Sequence, residues 1–394
     1  MRFAHIADTH IRNLKYHYEY SNVFEQLYSS LREQNVDYII HCGDIAHTKT
    51  QISPEFVEMC SKFLSNLASI APTYVILGNH DGNLKNASRQ DAITPIVDAL
   101  QNPNLILLKN AQEVILDQNF SLNVLSVFDE DNWKAPSNTS NINIALYHGA
   151  IDRSKTDLNW TLEGDHDISI FDPFDFAFLG DIHKTQILDH KGKIRYAGST
   201  VQQNFGESLD KGYLLWDIKT KDKFTCKLHT FNNPKPFITI DLDPKGKMPS
   251  DLNIPIGARI RVVSENNIPL ATMRRAIDLV KHKYRPDTIT YMNRATSKGS
   301  EVDVTSVSTK DDLRDIEVQQ RLIREYLKDY EITDEVMSKI LSLNSKYNTS
   351  IEEEEDVYRN VNWSLKSLQW DNLFNYGKNN SVNFDKLSGI VGIF

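Results

Sequence analysis

Between residues 1 and 230 the chain alternates short apolar runs with longer stretches in which apolar residues recur every three to four positions. Five runs share one ending: "RFAHIADTH" from Arg2, "VDYIIHCGDIAH" from Val36, "PTYVILGNHD" from Pro72, "NINIALYHGA" from Asn141 and "FDFAFLGDIHK" from Phe174. Each has the length and the β-branched or aromatic content of a buried strand, and each finishes on Asp, Asn or His. Residues 20 to 34 and 54 to 69 read as amphipathic helices, the second opened by Ser53 as N-cap and Pro54 at the first helical position. Further strands are expected at 104 to 109, 120 to 128, 193 to 198 and 212 to 218. The alternation predicts a layered α/β fold on a mixed sheet, in which ligands gather beyond the carboxyl ends of strands.

From 236 the period changes. "FITIDL", "GARIRVVS", a helix near 269 to 283 and "TITYMN" form a β-β-α-β unit, a small α+β domain. After a polar stretch come two helical stripes. One carries Leu313, Ile316, Leu322, Ile323, Tyr326 and Leu327; the other carries Val336, Ile340, Leu341 and Leu343. "SIEEEED" at 350 to 356 reads as a solvated acidic linker. "KLSGIVGIF" at 386 to 394 reads as a buried strand running into a turn. The resulting division is 1–230, 231–300, 301–345, 346–362 and 363–394.

With 394 residues, 40% hydrophobic and 25% charged, the composition is that of an ordinary globular chain of two or three domains. Arg2, Asp8, His10 and Arg12 exclude a signal peptide at the start, and no apolar run reaches membrane-spanning length. Cys42, Cys60 and Cys226 form no CxxC pair, which argues against a disulfide framework or a structural zinc site. The expectation is an intracellular protein, cytoplasmic or wherever a genome is processed, with no membrane partner; the many Asn, Ile and Lys residues hint at an AT-rich phage or viral genome. The net charge of −9 speaks against nucleic acid, but residues 231 to 300 hold 12 Lys/Arg against 6 Asp/Glu, whereas 301 to 360 hold 8 against 16. The first of these segments suits phosphates and the second does not.

The five endings are Asp8-x-His10, Gly43-Asp44-x-x-His47, Gly78-Asn79-His80-Asp81, His148-Gly149 and Gly180-Asp181-x-His183. Carboxylates, imidazoles and an amide, without a thiolate, suit manganese, magnesium, iron or zinc. The donors outnumber what one ion uses; a pair of ions about 3.5–4 Å apart activates water and stabilises in-line displacement at phosphorus. Alone, Asp8 or Asp44 would be a turn or cap residue, His148 a hydrogen-bonded semi-buried histidine, and Gly43 or Gly78 a tight-turn glycine. Five strand ends of one chemistry make the metal reading the stronger one.

The order DxH, GDxxH, GNHD, HG, GxxH resembles the calcineurin-like metallophosphoesterases, and more closely the SbcD (Mre-type) nuclease subunits of DNA double-strand-break repair. "IADTHI" and "YAGSTVQQNFGE" at 196 to 207 carry the likeness, and the β-β-α-β unit is similar to that family's capping domain. The resemblance implies a layered α/β metallophosphoesterase sandwich with a small α+β capping domain and a C-terminal helical pair, a first metal on Asp8, His10, Asp44 and His183, and a second on Asp44, Asn79, His148 and Asp181. It makes His80 the residue that orients or protonates the scissile phosphate, with His47 supporting the site beside the substrate. The family has His where this chain has Asp181. The extra carboxylate lowers the Lewis acidity of the second ion and shifts preference toward Mn²⁺ or Mg²⁺.

The resemblance further implies 3′-to-5′ exonuclease activity on duplex ends, endonuclease activity on single strands or hairpins, a homodimer, and docking of the helical pair on an SbcC-type ATPase. Ile316, Leu322, Ile323, Tyr326 and Leu313 would face that partner, although such a stripe also serves ordinary packing. Arg274, Arg275, Lys281 and Lys283, with Arg285, would contact DNA, or else form a solvated helix face. "WSLKSLQWDNLFNYGKNNSVNFDKLSGIVGIF" at 363 to 394 resembles the opening of an SbcC-type ATPase, ahead of its phosphate-binding loop. The expectation is a nuclease portion of a nuclease–ATPase fusion; the alternative is a terminal strand completing the nuclease sheet. Two other functions stay open. One is a small-molecule phosphoesterase; the other is a weakly catalytic scaffold that binds DNA ends for an ATPase.

Overall fold

A computed structural model describes residues 1–50, 52–86, 89–250, 252–294, 316–327, 333–355, 366–371 and 377–383. The chain forms two compact units, Met1–Thr296 and Ser297–Phe394.

The first unit is built on strands β1 (Arg2–Ile6), β2 (Tyr38–Cys42), β3 (Thr73–Ile76), β4 (Leu105–Leu108), β5 (Gln112–Ile115) and β6 (Phe120–Leu125). These are followed by β7 (Ile142–His148), β8 (Phe176–Gly180), β9 (Gln186–Ile187), β10 (Ile194–Tyr196), β11 (Gly212–Ile218) and β12 (Phe224–Thr230). They form the two six-stranded sheets of a sandwich, in the orders β12-β11-β1-β2-β3-β4 and β5-β6-β7-β8-β10-β9. In the first sheet β1 to β4 run parallel, β4 at the edge, and β11 and β12 add an antiparallel flank on the other side; in the second β6, β7, β8 and β10 run parallel between antiparallel β5 and β9.

Alternation along each strand explains the layering, because neighbouring side chains leave opposite faces of a sheet. Phe3, Ile40 and Ile76 point between the sheets and meet Leu122, Ile144 and Phe178 from the other side. Their neighbours Ala4, Ile39 and Val75 point the other way, into a core formed with Leu27, Phe63 and Leu67. Those come from helices α1 (His17–Gln34) and α2 (Pro54–Ile70), which with α3 (Thr94–Leu100) cover that face. Buried on both sides, the parallel strands read as continuous apolar runs, which is why they were legible. Ser53 caps α2 as expected, its hydroxyl oxygen accepting from Phe56 N at 3.1 Å.

The β-β-α-β unit is present as β13 (Phe237–Asp241), β14 (Arg259–Ser264), helix α4 (Leu270–Tyr284) and β15 (Thr288–Asn293), all three strands parallel. Ala276, Val280 and Tyr284 of α4 pack on Ile240, Ile260 and Val262. This cap is fastened to the two-sheet core through buried polar groups. Gln202 exchanges two hydrogen bonds with the Phe237 backbone (2.8 and 3.0 Å), and Arg259 of β14 pairs with Glu19 of α1.

In the second unit helices α5 (Ile316–Leu327) and α6 (Asp334–Glu355) pack together, with Gln320 Nε2 bonded to Ser345 Oγ at 3.0 Å and Asn344 Nδ2 to Gln319 Oε1 at 2.8 Å. Helix α6 continues through Glu355, so most of the acidic run expected as a linker is helical; straight-chain glutamates propagate a helix readily. Strands β16 (Ser367–Trp370) and β17 (Asn380–Asn383) form an antiparallel pair of their own. "GIVGIF" at 389 to 394 lies outside the described residues.

Candidate active site

All five polar strand endings meet at one edge of the two packed sheets. Asp8 N donates to Gly43 O (3.1 Å) and His10 N to Asp44 O (3.0 Å), joining the ends of β1 and β2. The Asp8 carboxylate accepts from Asp181 N with both oxygens, at 3.0 and 3.1 Å, joining the end of β8 to them. Asp44 Oδ1 accepts from His80 N at 2.8 Å, bringing in the end of β3. Asp81, the last letter of GNHD, is a buried clamp that accepts from Asp44 N, Ala46 N and Gly78 N at 2.8, 2.8 and 2.9 Å.

The backbone is bent for this purpose. Asp8, His10, Asp44 and Asp181 all sit at positive φ (50°, 49°, 58° and 97°), a conformation that costs a side-chain-bearing residue on the order of 1–3 kcal/mol and clusters at functional sites. Gly43 (φ +84°) is required by close approach as well, since a Cβ there would lie 2.4 Å from His148 Nδ1. At Gly180 it would lie 2.0 Å from Cys42 O.

Histidine tautomers follow from the partners. A carbonyl only accepts, so His148 Nδ1 carries the proton it donates to Cys42 O (2.7 Å), and its Nε2 presents a lone pair. His183 Nδ1 donates to the Glu207 carboxylate (2.8 Å), leaving its Nε2 lone pair facing His10 Nε2 at 2.9 Å. His80 Nδ1 donates to His47 O (2.8 Å), which frees its Nε2 on the exposed side. Glu207 is itself held by Lys211 Nζ (3.3 Å), which also bonds Asp157 (3.0 Å) and His183 O (2.8 Å).

These residues fit divalent cations. His148 Nε2 lies 3.4 Å from Asp44 Oδ1 and 3.8 Å from Asp181 Oδ1, and among the described residues Asn79 Oδ1 is buried with no hydrogen-bond partner. Lone pairs and carboxylates converging in this way repel one another unless positive charge lies among them. The triads Asp8–His10–His183, Asp8–Asp44–His148 and His10–His47–His80 each place three donor atoms within 4.8 Å of one another. The protonation equilibria register the same deficit. Burial lifts Asp8 to about 7 and raises Asp181, whereas His148, against the pull of burial, is held above its ordinary value by Asp44, Asp8 and Asp181, so that without a cation its Nε2 takes up a proton in place of the lone pair. His47 is depressed to about 4 by partial burial and by the Arg12 guanidinium.

The structure thus brings together Asp8, His10, Asp44, His47, Asn79, His80, His148, Asp181 and His183. It adds Glu207, Lys211, Asp81 and Arg12, to which no role attached from sequence. Arg274, Arg275, Lys281 and Lys283 lie exposed on α4, away from the cap sheet. Ile316 and Ile323 are half-buried in α5; Leu313 and the side chains of Leu322 and Tyr326 lie outside the described residues.

Two packed mixed sheets that gather an Asp/His/Asn cluster at their strand ends define a phosphoesterase of the metal-binding kind. Residues 1–235 match the calcineurin-like phosphoesterase family, and the chain belongs to it. It is 30% identical over 417 aligned positions to the uncharacterized protein R555 of Acanthamoeba polyphaga mimivirus, covering 99% of this chain and 30% of that one. It is 27% identical over 236 positions to the putative phosphoesterase 244L of Invertebrate iridescent virus 6, covering 54% of this chain and 79% of that one. The chain therefore spans under a third of the mimivirus relative's length. A solved structure, the Pseudomonas putida nuclease MPE, overlaps 36% of this chain and 60% of its own at 18% identity and a TM-score of 0.22. No helix among the described residues is long and apolar enough to cross a membrane.

Proposed function

We propose that this chain is a two-metal phosphodiesterase acting on DNA, the nuclease part of a nuclease–ATPase assembly of the SbcD/Mre type. The observation that carries the reading is the convergence of five strand ends with their histidine lone pairs already aimed inward. Asp8, His10, Asp44 and His183 would hold one cation, and Asp44, Asn79, His148 and Asp181 the other. Such cations lower the pKa of water and neutralise charge developing on a phosphoryl group. The oxygen-rich second set favours Mn²⁺, with Mg²⁺ next.

The protein's own groups do the rest. Glu207 and Cys42 O keep His183 and His148 in the tautomer that presents Nε2 inward. His80, its Nδ1 proton committed to His47 O, offers Nε2 to the scissile phosphate or to the leaving 3′ oxygen. A polymeric substrate is supported by the exposed basic face of α4. The ATPase, fused or in trans, is supported by the ATPase-like pattern from 363 and by the much greater length of the mimivirus relative. A homodimer is the expected assembly, read by light scattering.

The test is cleavage of end-labelled duplex, single-stranded and hairpin DNA with Mn²⁺ or Mg²⁺, with and without ATP. Shortening of duplex ends from the 3′ side and nicking of single strands, stronger in Mn²⁺, are expected. Hydrolysis of bis-p-nitrophenyl phosphate without DNA cleavage would replace the reading with a small-molecule phosphoesterase. Cleavage by Asp181→His alone would make the native chain chiefly a scaffold.

A further inference from the structure

Two guanidiniums lie over the ring of Tyr16, at 5.3 Å for Arg12 and 4.2 Å for Arg259, and they are partnered differently. Arg259 is neutralised by Glu19 and lies 3.8 Å from Asp287. Among the described residues Arg12 has no carboxylate within ion-pair distance. Its Nη1 donates to His47 Nε2 at 2.9 Å, its Nη2 donates to Gln203 Oε1 at 3.3 Å, and its buried Nε has no partner among the described residues. Because arginine only donates, His47 accepts at Nε2 and is a neutral imidazole in this contact. Among the described residues the positive charge of Arg12 therefore meets uncharged partners, His47, Gln203 and Tyr16.

The side chain is nevertheless held in place. Ile11, beside it, exchanges backbone bonds with Ile45 (2.8 Å) and His47 (3.0 Å), and His17 Nε2 bonds Arg12 O at 2.6 Å. Gln203 is buried, and Tyr16 lies under the guanidinium. His47 in turn stands at ring-centre distances of 5.7 Å from His10 and 6.0 Å from His80. An oriented, half-buried guanidinium without a counter-ion, one residue removed from a metal cluster, is matched to an anion that arrives with the substrate. A planar fork of N–H donors is suited to phosphate oxygens.

We propose that Arg12 is a substrate-binding residue that grips a non-bridging phosphate oxygen of the substrate on the His47 side of the metal cluster. This rests on the phosphodiesterase reading and names a specificity element within it. Recognition is of the phosphate, not of a base, so it serves any sequence.

Inorganic phosphate titrated calorimetrically into the Mn²⁺-loaded full chain is the probe, with Mn²⁺ alone titrated beforehand. Arg12→Gln, similar in reach but neutral, should weaken phosphate binding about tenfold while Mn²⁺ affinity stays unchanged, and Arg12→Lys should recover part of the loss. Steady-state cleavage should show the change mainly in KM. Equal phosphate affinity in wild type and Arg12→Gln would overturn the assignment. So would disappearance of the effect in a His47→Ala background, since Arg12 would then act only through His47. If Arg12→Gln does not fold, the Arg12→Lys variant decides, and unchanged phosphate affinity there refutes the role of the fork. A wild type that binds phosphate but cleaves no phosphodiester would instead defeat the parent reading.

Discussion

The strand-end cluster and the basic face of the cap are both polar, yet physically opposite. In the cluster nearly every charge is buried and fastened to a backbone from another strand, so each residue sets its neighbour's position. On α4 the arginines and lysines stand in solvent, and each can change without the others responding. Interlocked burial makes geometry, and with it chemistry; solvated charge makes a diffuse field.

The sharpest way to break this contrast is at His80. His80→Ala should lower DNA cleavage by roughly 10²–10⁴-fold while leaving DNA binding intact, as judged by paired cleavage and binding assays. Retained cleavage would remove His80 from its role. Asp81→Ala strips one acceptor from three backbone N–H groups and should destabilise the fold by on the order of 3–5 kcal/mol in denaturant unfolding. A loss below 1 kcal/mol would show the clamp to be dispensable.

Acid offers a third comparison. His5, stacked on Phe178 and bonded to Leu179 O, and His41, bonded to Thr9, are fully buried and depressed to about 3 by burial. The unfolded chain takes up these protons near 6.5 and the native state does not. Stability from this source is therefore complete above 6.5 and is lost as pH falls toward 3, by about 2 kcal/mol per histidine at pH 5. His5→Phe should flatten the slope of unfolding free energy between pH 7 and 5; an unchanged slope would exclude His5 as a source.

Smaller effects follow outward. Glu207→Gln, which frees the His183 ring, should weaken Mn²⁺ binding about tenfold in a calorimetric titration. Arg274→Glu with Arg275→Glu should shift stability by less than about 0.5 kcal/mol and, if α4 meets DNA, reduce the salt dependence of binding by roughly two phosphate contacts. An unaltered salt dependence would leave α4 a solvated face.

The ligands were legible because each follows a continuous apolar run, and such runs are what buried parallel strands require. What supports the ligands carried no such signal. Glu207 reaches His183 across 24 residues of chain and Gln203 reaches Arg12 across 191, distances at which no local period exists. The edge strands β5 and β9 and helix α3 carry no sequence signal for a related reason: "QEVI" at an edge is half exposed and shows no run. The division into two sheets depends on pairings between distant segments, which alternation alone does not specify.

One of those pairings bears on how the protein is made. β1 lies inside its sheet, with β2 on one side and β11 on the other, Arg2 opposite Asp217 and His5 opposite Leu214. β1 must therefore wait for a segment more than two hundred residues behind it, roughly 10–40 s at 5–20 residues per second of synthesis. During that interval its unpaired edge is open to other chains. Yield during synthesis, and dependence on chaperones, should thus be governed by the arrival of β11 rather than by the intrinsic strength of the early α/β segment.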